Sequence, residues 1–230
     1  MHTIRIIANW KSNKSIDQAN AWMSAFKAEL SGNPLSAEVE AIIAPAFPAL
    51  PSVAEVIPGL QHCALAVQDI SNYPAGSYTG AVGVATLSTL PVRYAIIGHS
   101  ERRRYFHETH ADVAGKVAQA VDANITPVVC VDSEYVQAQA AAIDPDHLQK
   151  CIVAYEPLSA IGSGNNAPVD QVKQVVAQIR TTFGSIPVLY GGSVTAENIA
   201  EYVLVTDGAL VGTASLEVES FVALLRKISS

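Results

Sequence analysis

Short apolar runs recur along the chain, each followed by a polar turn and then by a stretch with helical spacing. The runs lie at about 3–8, 38–43, 62–67, 94–98, 126–131, 151–155, 186–190 and 208–211. They are mostly apolar on both faces, as the strands of a covered parallel sheet are. Between them the spacing predicts helices at about 16–30, over a short segment ending near Val56, and at 82–90, 109–122, 133–142, 168–183, 195–203 and 217–228. In the first helix Ser15 is placed to cap, and Ile16, Ala19, Trp22, Met23, Phe26 and Leu30 share the face turned to the strands. Val169, Val172, Val176 and Ile179 mark the buried side of the helix at 168–183. Asp144-Pro145 breaks the helix after the fifth run, leaving one more turn at 146–149.

Alternating strands and helices with buried strands give a parallel sheet. Eight such units in 230 residues match the count and size of a closed (β/α)8 barrel. An open, doubly wound sheet is the alternative. Its usual Gly-x-Gly-x-x-Gly after the first strand is absent, and Asn9-Trp10-Lys11 stands there. No linker or low-complexity stretch divides the chain, so residues 1–230 read as one domain.

Composition narrows the function classes. Half of the residues are hydrophobic and 15% are charged, enough for a large core. A net charge of −7 argues against a nucleic-acid surface but permits a small anionic substrate, because local cations and helix N-termini can oppose net charge. Cys63, Cys130 and Cys151 all fall in apolar runs, and their odd number without CxxC spacing argues against disulfides or zinc. Buried, reduced thiols in the cytoplasm are the expectation. The N-terminus lacks a signal-like segment, and no apolar run approaches the roughly 18 residues of a membrane span.

A barrel carries its active site at the C-terminal ends of its strands. Those ends hold Asn9 and Lys11, Gln68, His99 and Glu101, Glu156, Gly191-Gly192-Ser193, and Gly212-Thr213. Glu156 follows the sixth run directly and precedes Pro157 and a small-residue loop to Gly164. Alone, it is either an acid capping a strand or a base beside a closing loop. A cation, an imidazole and a carboxylate on one rim favour the base. Glycine-rich loops after the last two strands are the place where barrels bind phosphate.

These residues carry a resemblance. Ala8-Asn9-Trp10-Lys11, Ile96-Ile97-Gly98-His99-Ser100-Glu101-Arg102-Arg103, Ala154-Tyr155-Glu156-Pro157 with Ala160-Ile161-Gly162-Ser163-Gly164, Tyr190-Gly191-Gly192-Ser193-Val194 and Asp207-Gly208-Ala209-Leu210-Val211-Gly212 occur in this order. With them the whole chain resembles the triosephosphate isomerase family. The resemblance implies interconversion of dihydroxyacetone phosphate and D-glyceraldehyde 3-phosphate through an enediolate, without metal or organic cofactor. It implies Glu156 as base and His99 as electrophile, the neutral imidazole of this family being an established example of tuning by a helix N-terminus. Lys11 supplies positive charge, Asn9 donates to the substrate, and Glu101 supports Lys11. The amides of Gly162, Ser193, Gly212 and Thr213 hold the phosphate, under a lid running from Pro157 to Gly164. The family's homodimer implies a partner copy engaged through the loop 68–81, with no nucleic acid and no membrane.

The chain also departs from the family pattern. Ser159 stands where tryptophan is usual in the lid, Thr213 replaces a glycine, and the region after the fifth strand is short. Ala81 replaces a glutamate that usually pairs with the arginine matched by Arg102. A weaker dimer is the expectation. A catalytically weak barrel that only binds a phosphorylated metabolite, and another phosphate-binding barrel enzyme, are the competing readings.

Overall fold

The computed structural model describes residues 3–157 and 166–229. Eight parallel strands close into a barrel in chain order. They are β1 (Ile4–Asn9), β2 (Val39–Ala44), β3 (Cys63–Val67), β4 (Val92–Ile97), β5 (Thr126–Val131), β6 (Ile152–Tyr155), β7 (Val188–Tyr190) and β8 (Gly208–Val211). β1 closes the ring by pairing with both β2 and β8, so Ile7 meets Ile42 on one side and Leu210 on the other. The open-sheet alternative is thereby excluded.

Alternation along each strand builds two cores. Ile7, Ile42, Tyr94, Ile96, Val128, Ile152, Leu189 and Leu210 fill the barrel interior. Ile6, Ala8, Ile43, Leu65, Ile97 and Val129 point outward to the helices. The interior is closed at its N-terminal end by a polar plug. Glu40 accepts from Tyr94 Oη at 2.7 Å and from Arg93 Nη1 at 2.7 Å, with Arg5 Nε at 3.6 Å. Burial, and then the hydrogen bond to Glu40, push the Tyr94 phenol above its ordinary range.

The surrounding helices are α1 (Ile16–Gly32), α2 (Leu50–Val56), α3 (Ser100–Phe106), α4 (His110–Asp122), α5 (Val136–Ala142), α6 (Pro145–Leu148), α7 (Val169–Phe183), α8 (Ile199–Tyr202) and α9 (Val218–Lys227). α1 opens with a capping box in which Ser15 and Gln18 exchange hydrogen bonds. Its apolar stripe packs as expected, with Trp22 4.9 Å from both Trp10 and Phe26. Ile16 is the exception, 47% exposed, because the first helical residue lies before the packed face begins. In α7, Val172, Val175, Val176 and Ile179 are buried, while Val169 in the first turn is only half-buried.

Two helices are shorter than their spacing predicts. The segment 82–90 forms only a short 3-10 turn, Val84–Leu87. Thr86 and Ser88 hydroxyls bond the carbonyls of Gly83 and Ala85 at 2.7 and 2.9 Å, competing with a continuing helix. The segment 195–203 keeps helix only at α8, because Asn198 bonds the Thr195 amide at 2.9 Å and the Ser193 carbonyl at 3.0 Å. Between β5 and β6, α5 and α6 are both short, and Val136, Ala140 and Ile143 cover the barrel there. No helix of the described residues is long and apolar enough to cross a membrane.

α1 ends at Gly32 with Asn33 as its C-cap and no basic residue in its last turn. Arg226 of α9 supplies the missing donors, to Glu29 O and Pro34 O at 3.2 Å and to Asn33 O. Arg226→Ala leaves these carbonyls to water, and a loss of about 1–2 kcal/mol is expected. The thermal unfolding midpoint followed by circular dichroism should fall by roughly 2–8 °C. An unchanged midpoint would show that the cap adds nothing.

Candidate functional site

At the C-terminal ends of the strands lies a cleft of about 390 Å³, lined by Asn9, Lys11, His99, Glu101, Glu156, Ser193, Gly212 and Thr213 among others. Every site residue expected from the sequence is therefore at one place, except Gly162. Gly162, Ser159 and the lid beyond Pro157 lie outside the described residues.

Glu156 is placed by the sheet. Its amide bonds Val131 O at 2.8 Å, extending β6 by one residue along β5. The side chain, 3% exposed, turns into the cleft. Its Oε1 is 3.1 Å from His99 Nε2, and its Oε2 accepts from the Ser100 amide at 2.9 Å. A Cβ at position 191 would stand 2.8 Å from Glu156 Cγ, so the first glycine after β7 makes room for the carboxylate. That role is distinct from the phosphate contact its Gly-Gly-Ser setting suggests.

His99 caps α3. Its Nδ1 accepts from the Glu101 amide at 3.2 Å, with Glu101 Oε2 farther off at 3.6 Å. A backbone donor at Nδ1 requires a lone pair there, so the proton of the neutral ring sits on Nε2. Nε2–H then points at Glu156 and the cleft. The helix terminus selects the tautomer, and its orphan amides are used twice, at His99 and at Glu156.

Lys11 is held in the left-handed region, φ 52°, an unfavourable place for a residue with a Cβ. Three bonds maintain it. Its amide donates to Asn9 Oδ1 at 3.1 Å, its carbonyl accepts from Gln68 Nε2 at 2.9 Å, and Nζ meets Glu101 Oε1 at 2.6 Å. Gln68, a polar residue at the end of β3, thus ties the β1 loop to the end of β2, since it also donates to Ala44 O at 2.9 Å.

The opposite wall is built from loops. Gly212 leads into a short 3-10 turn, Thr213–Ser215. Thr213 is not among the residues with positive φ, so its side chain introduces no backbone strain. Ser215 Oγ donates to Gly212 O at 2.6 Å and fixes the turn. Ala167, next to the undescribed segment, is gripped by two tyrosines. Its amide donates to Tyr190 Oη at 3.1 Å and its carbonyl accepts from Tyr202 Oη at 2.9 Å, the rings stacked 4.1 Å apart.

Sequence reasoning missed the Ser100 amide, the space at Gly191 and the Cys130 thiol, which lies beside Glu156. Ser100 was findable as the first residue after a helix cap. Burial, and then the Glu156 charge, push the Cys130 thiol well above its ordinary range, so it stays protonated and is no nucleophile.

Comparison with known proteins agrees with this geometry. The family model for triosephosphate isomerase matches residues 4–228. A triosephosphate isomerase of Mesomycoplasma hyorhinis is 43% identical over 236 residues, covering 96% of each chain. That of Thermus thermophilus is 37% identical over 252 residues, covering 98% of this chain and 99% of its own. One of Leifsonia xyli is 39% identical over 254 residues, covering 98% of each. A match across almost the full length, together with an imidazole, a carboxylate and a lysine on one barrel rim, places the sequence: the chain belongs to the triosephosphate isomerase family.

Proposed function

We propose that Glu156 and His99 together carry the interconversion of dihydroxyacetone phosphate and D-glyceraldehyde 3-phosphate in this chain. The observation behind this reading is the 3.1 Å approach of His99 Nε2 to Glu156 Oε1 across the cleft that also holds Lys11. Substrate binding replaces that direct contact. The carboxylate takes a proton from the carbon beside the carbonyl, and the C–H electron pair becomes the enediolate double bond. Nε2–H donates to the oxygen that gains charge. Return of the proton to the neighbouring carbon, with transfer of the hydroxyl proton between the two oxygens, completes the isomerisation. Lys11 Nζ lowers the energy of the anion, and Glu101 keeps it on the rim. Asn9 commits Oδ1 to the Lys11 amide, so its NH2 is the group offered to substrate. Ser193, Gly212 and Thr213 hold the phosphate through backbone amides, as glycine-rich loops of barrels do.

The working unit is a homodimer formed through the loop 68–81, and its setting is the cytoplasm, where the three thiols stay reduced. Tyr73 and Tyr78 support the interface: they are 49% and 42% exposed and stack 4.6 Å apart. Tyr105 and Phe106 at the end of α3 are more exposed still, at 62% and 65%. Tyr73, Tyr78 and Phe106 border one surface hollow, and apolar surface gathered in one place marks an interaction site. Arg102 needs no cross-subunit carboxylate, since Asp69 and Glu108 of its own chain already pair with it.

A coupled assay with glyceraldehyde 3-phosphate, run across protein concentration beside sedimentation, tests both claims. Turnover is expected, from a species of twice the 24.2 kDa chain mass, with specific activity falling on dilution. Saturable binding of the substrate without turnover would leave a metabolite-binding barrel instead. A monomer at micromolar concentration would remove the dimer.

A further inference from the structure

We infer that Arg103 is a positioning residue for the isomerisation, bracing the strand ends that carry His99 and Glu156, with Gln139 holding its guanidinium in place. The inference rests on the roles proposed for His99 and Glu156. Arg103 sits in α3, but its side chain turns back beneath the rim. Nε donates to Gly98 O, the carbonyl just before His99, at 2.8 Å. Nη2 donates to Cys130 O near the end of β5 at 3.3 Å and to Gln139 Oε1 in α5 at 2.7 Å. The planar fork of a guanidinium makes such bonds in fixed directions, which an ammonium does not. Gly98 has φ 69°, and a Cβ there would lie 2.8 Å from Nη2, so the chain before His99 is shaped around this group.

Cys130 passes the brace to the base. Arg103 holds its carbonyl at 3.3 Å, and its thiol lies beside Glu156, whose charge helps to hold the thiol protonated. Arg103, Ser100, Cys130 and Glu156 border a void of about 10 Å³ behind the carboxylate. That is room for one water at most, so protein packing backs most of the base. Gln139 is fully buried and satisfied at both ends, since its Nε2 donates to His110 O at 3.2 Å. Burial lowers the Arg103 pKa, but a guanidinium remains charged. Neither Arg103 nor Gln139 is among the residues lining the substrate cleft. Both therefore act on the placement of His99 and Glu156 and not on substrate affinity.

Steady-state kinetics of Gln139→Leu, Gln139→Glu and Arg103→Lys test this, each variant checked by circular dichroism. Misplacement by about 1 Å can cost 10²-fold in rate, so kcat is expected to fall about tenfold in Gln139→Leu and about 10²-fold in Arg103→Lys, with KM within about twofold. Gln139→Glu keeps the acceptor and should recover most of kcat. Parental kcat in folded Gln139→Leu and Arg103→Lys overturns the inference. So does a loss that tracks only the folded fraction, or one matched by an equal rise in KM. If Arg103→Lys does not fold, the two Gln139 variants decide. Glu156→Gln in the same assay separates the two levels. Full activity there removes the base, whereas an inactive Glu156→Gln beside fully active Arg103 and Gln139 variants removes only the brace.

Discussion

Glu156→Gln is expected to lower kcat by about 10³-fold while leaving KM and the unfolding midpoint close to the parent. Loss of a general base costs about 10²–10⁴-fold. Glutamine has the size of glutamate and still offers an oxygen to the Ser100 amide, which now donates to Oε2 at 2.9 Å. The space beside Gly191 and the packing against Cys130 are unchanged. What disappears is the ability to accept a proton from carbon, together with the second oxygen that faces His99 Nε2 at 3.1 Å. The substitution therefore separates chemistry from architecture, and the coupled assay beside a melting curve reads both. Retention of more than a tenth of parental kcat would mean that another group takes the proton.

Lys116→Met should produce the largest loss of stability. The Lys116 side chain, 6% exposed, lies between two carboxylates that are 14% and 7% exposed, Asp69 at 2.6 Å and Glu108 in closer contact. Arg102 pairs with the same two, its Nη2 2.9 Å from Asp69. Two cations and two carboxylates balance within one chain. Removing one cation leaves a buried negative charge short of a partner, at a cost of about 3–5 kcal/mol. For a chain of this size that is roughly 6–20 °C in the unfolding midpoint.

The loss should also depend on pH. Burial raises the Asp69 pKa, and Lys116 is the strongest influence opposing the rise. Without Lys116 the folded-state value climbs further above the unfolded one. The folded protein then binds more protons than the unfolded chain as pH falls through the folded-state value, so the penalty is full above that value and shrinks below it. Melting curves at pH 8 and pH 5 should show the gap between parent and variant narrowing at pH 5. A gap that is constant or widens on acidification would mean that Asp69 does not carry the unbalanced charge.

The strands were legible because their signal is local. Eight apolar runs, too short for helices and not alternating, admit few arrangements, and the barrel followed from their number. Only their ends moved by a residue or two. The helical segments 82–90 and 195–203 were overestimated for the converse reason. Hydroxyls of Thr86 and Ser88, and the side chain of Asn198, bond nearby backbone groups, and hydrophobic periodicity does not record that competition. Ile16 shows the same limit, since a helical stripe does not say where its neighbour begins.

The site divides along similar lines. Asn9, Lys11, His99, Glu101 and Glu156 each announce themselves as polar residues where a buried run ends, and the order of the runs places them on one rim. The sequence by itself determined which residues face the cleft, because strand polarity in a parallel barrel sends every strand end to the same side. The tertiary structure alone decided how they meet. Lys11 and Glu101 are 90 residues apart, and Ser100 and Glu156 are 56 apart. Their contacts depend on the register between strands and on the curvature of the closed ring. The tautomer of His99, the room left by Gly191 and the brace of Arg103 belong to that second class. Each is a distance between segments that only closure of the barrel brings together.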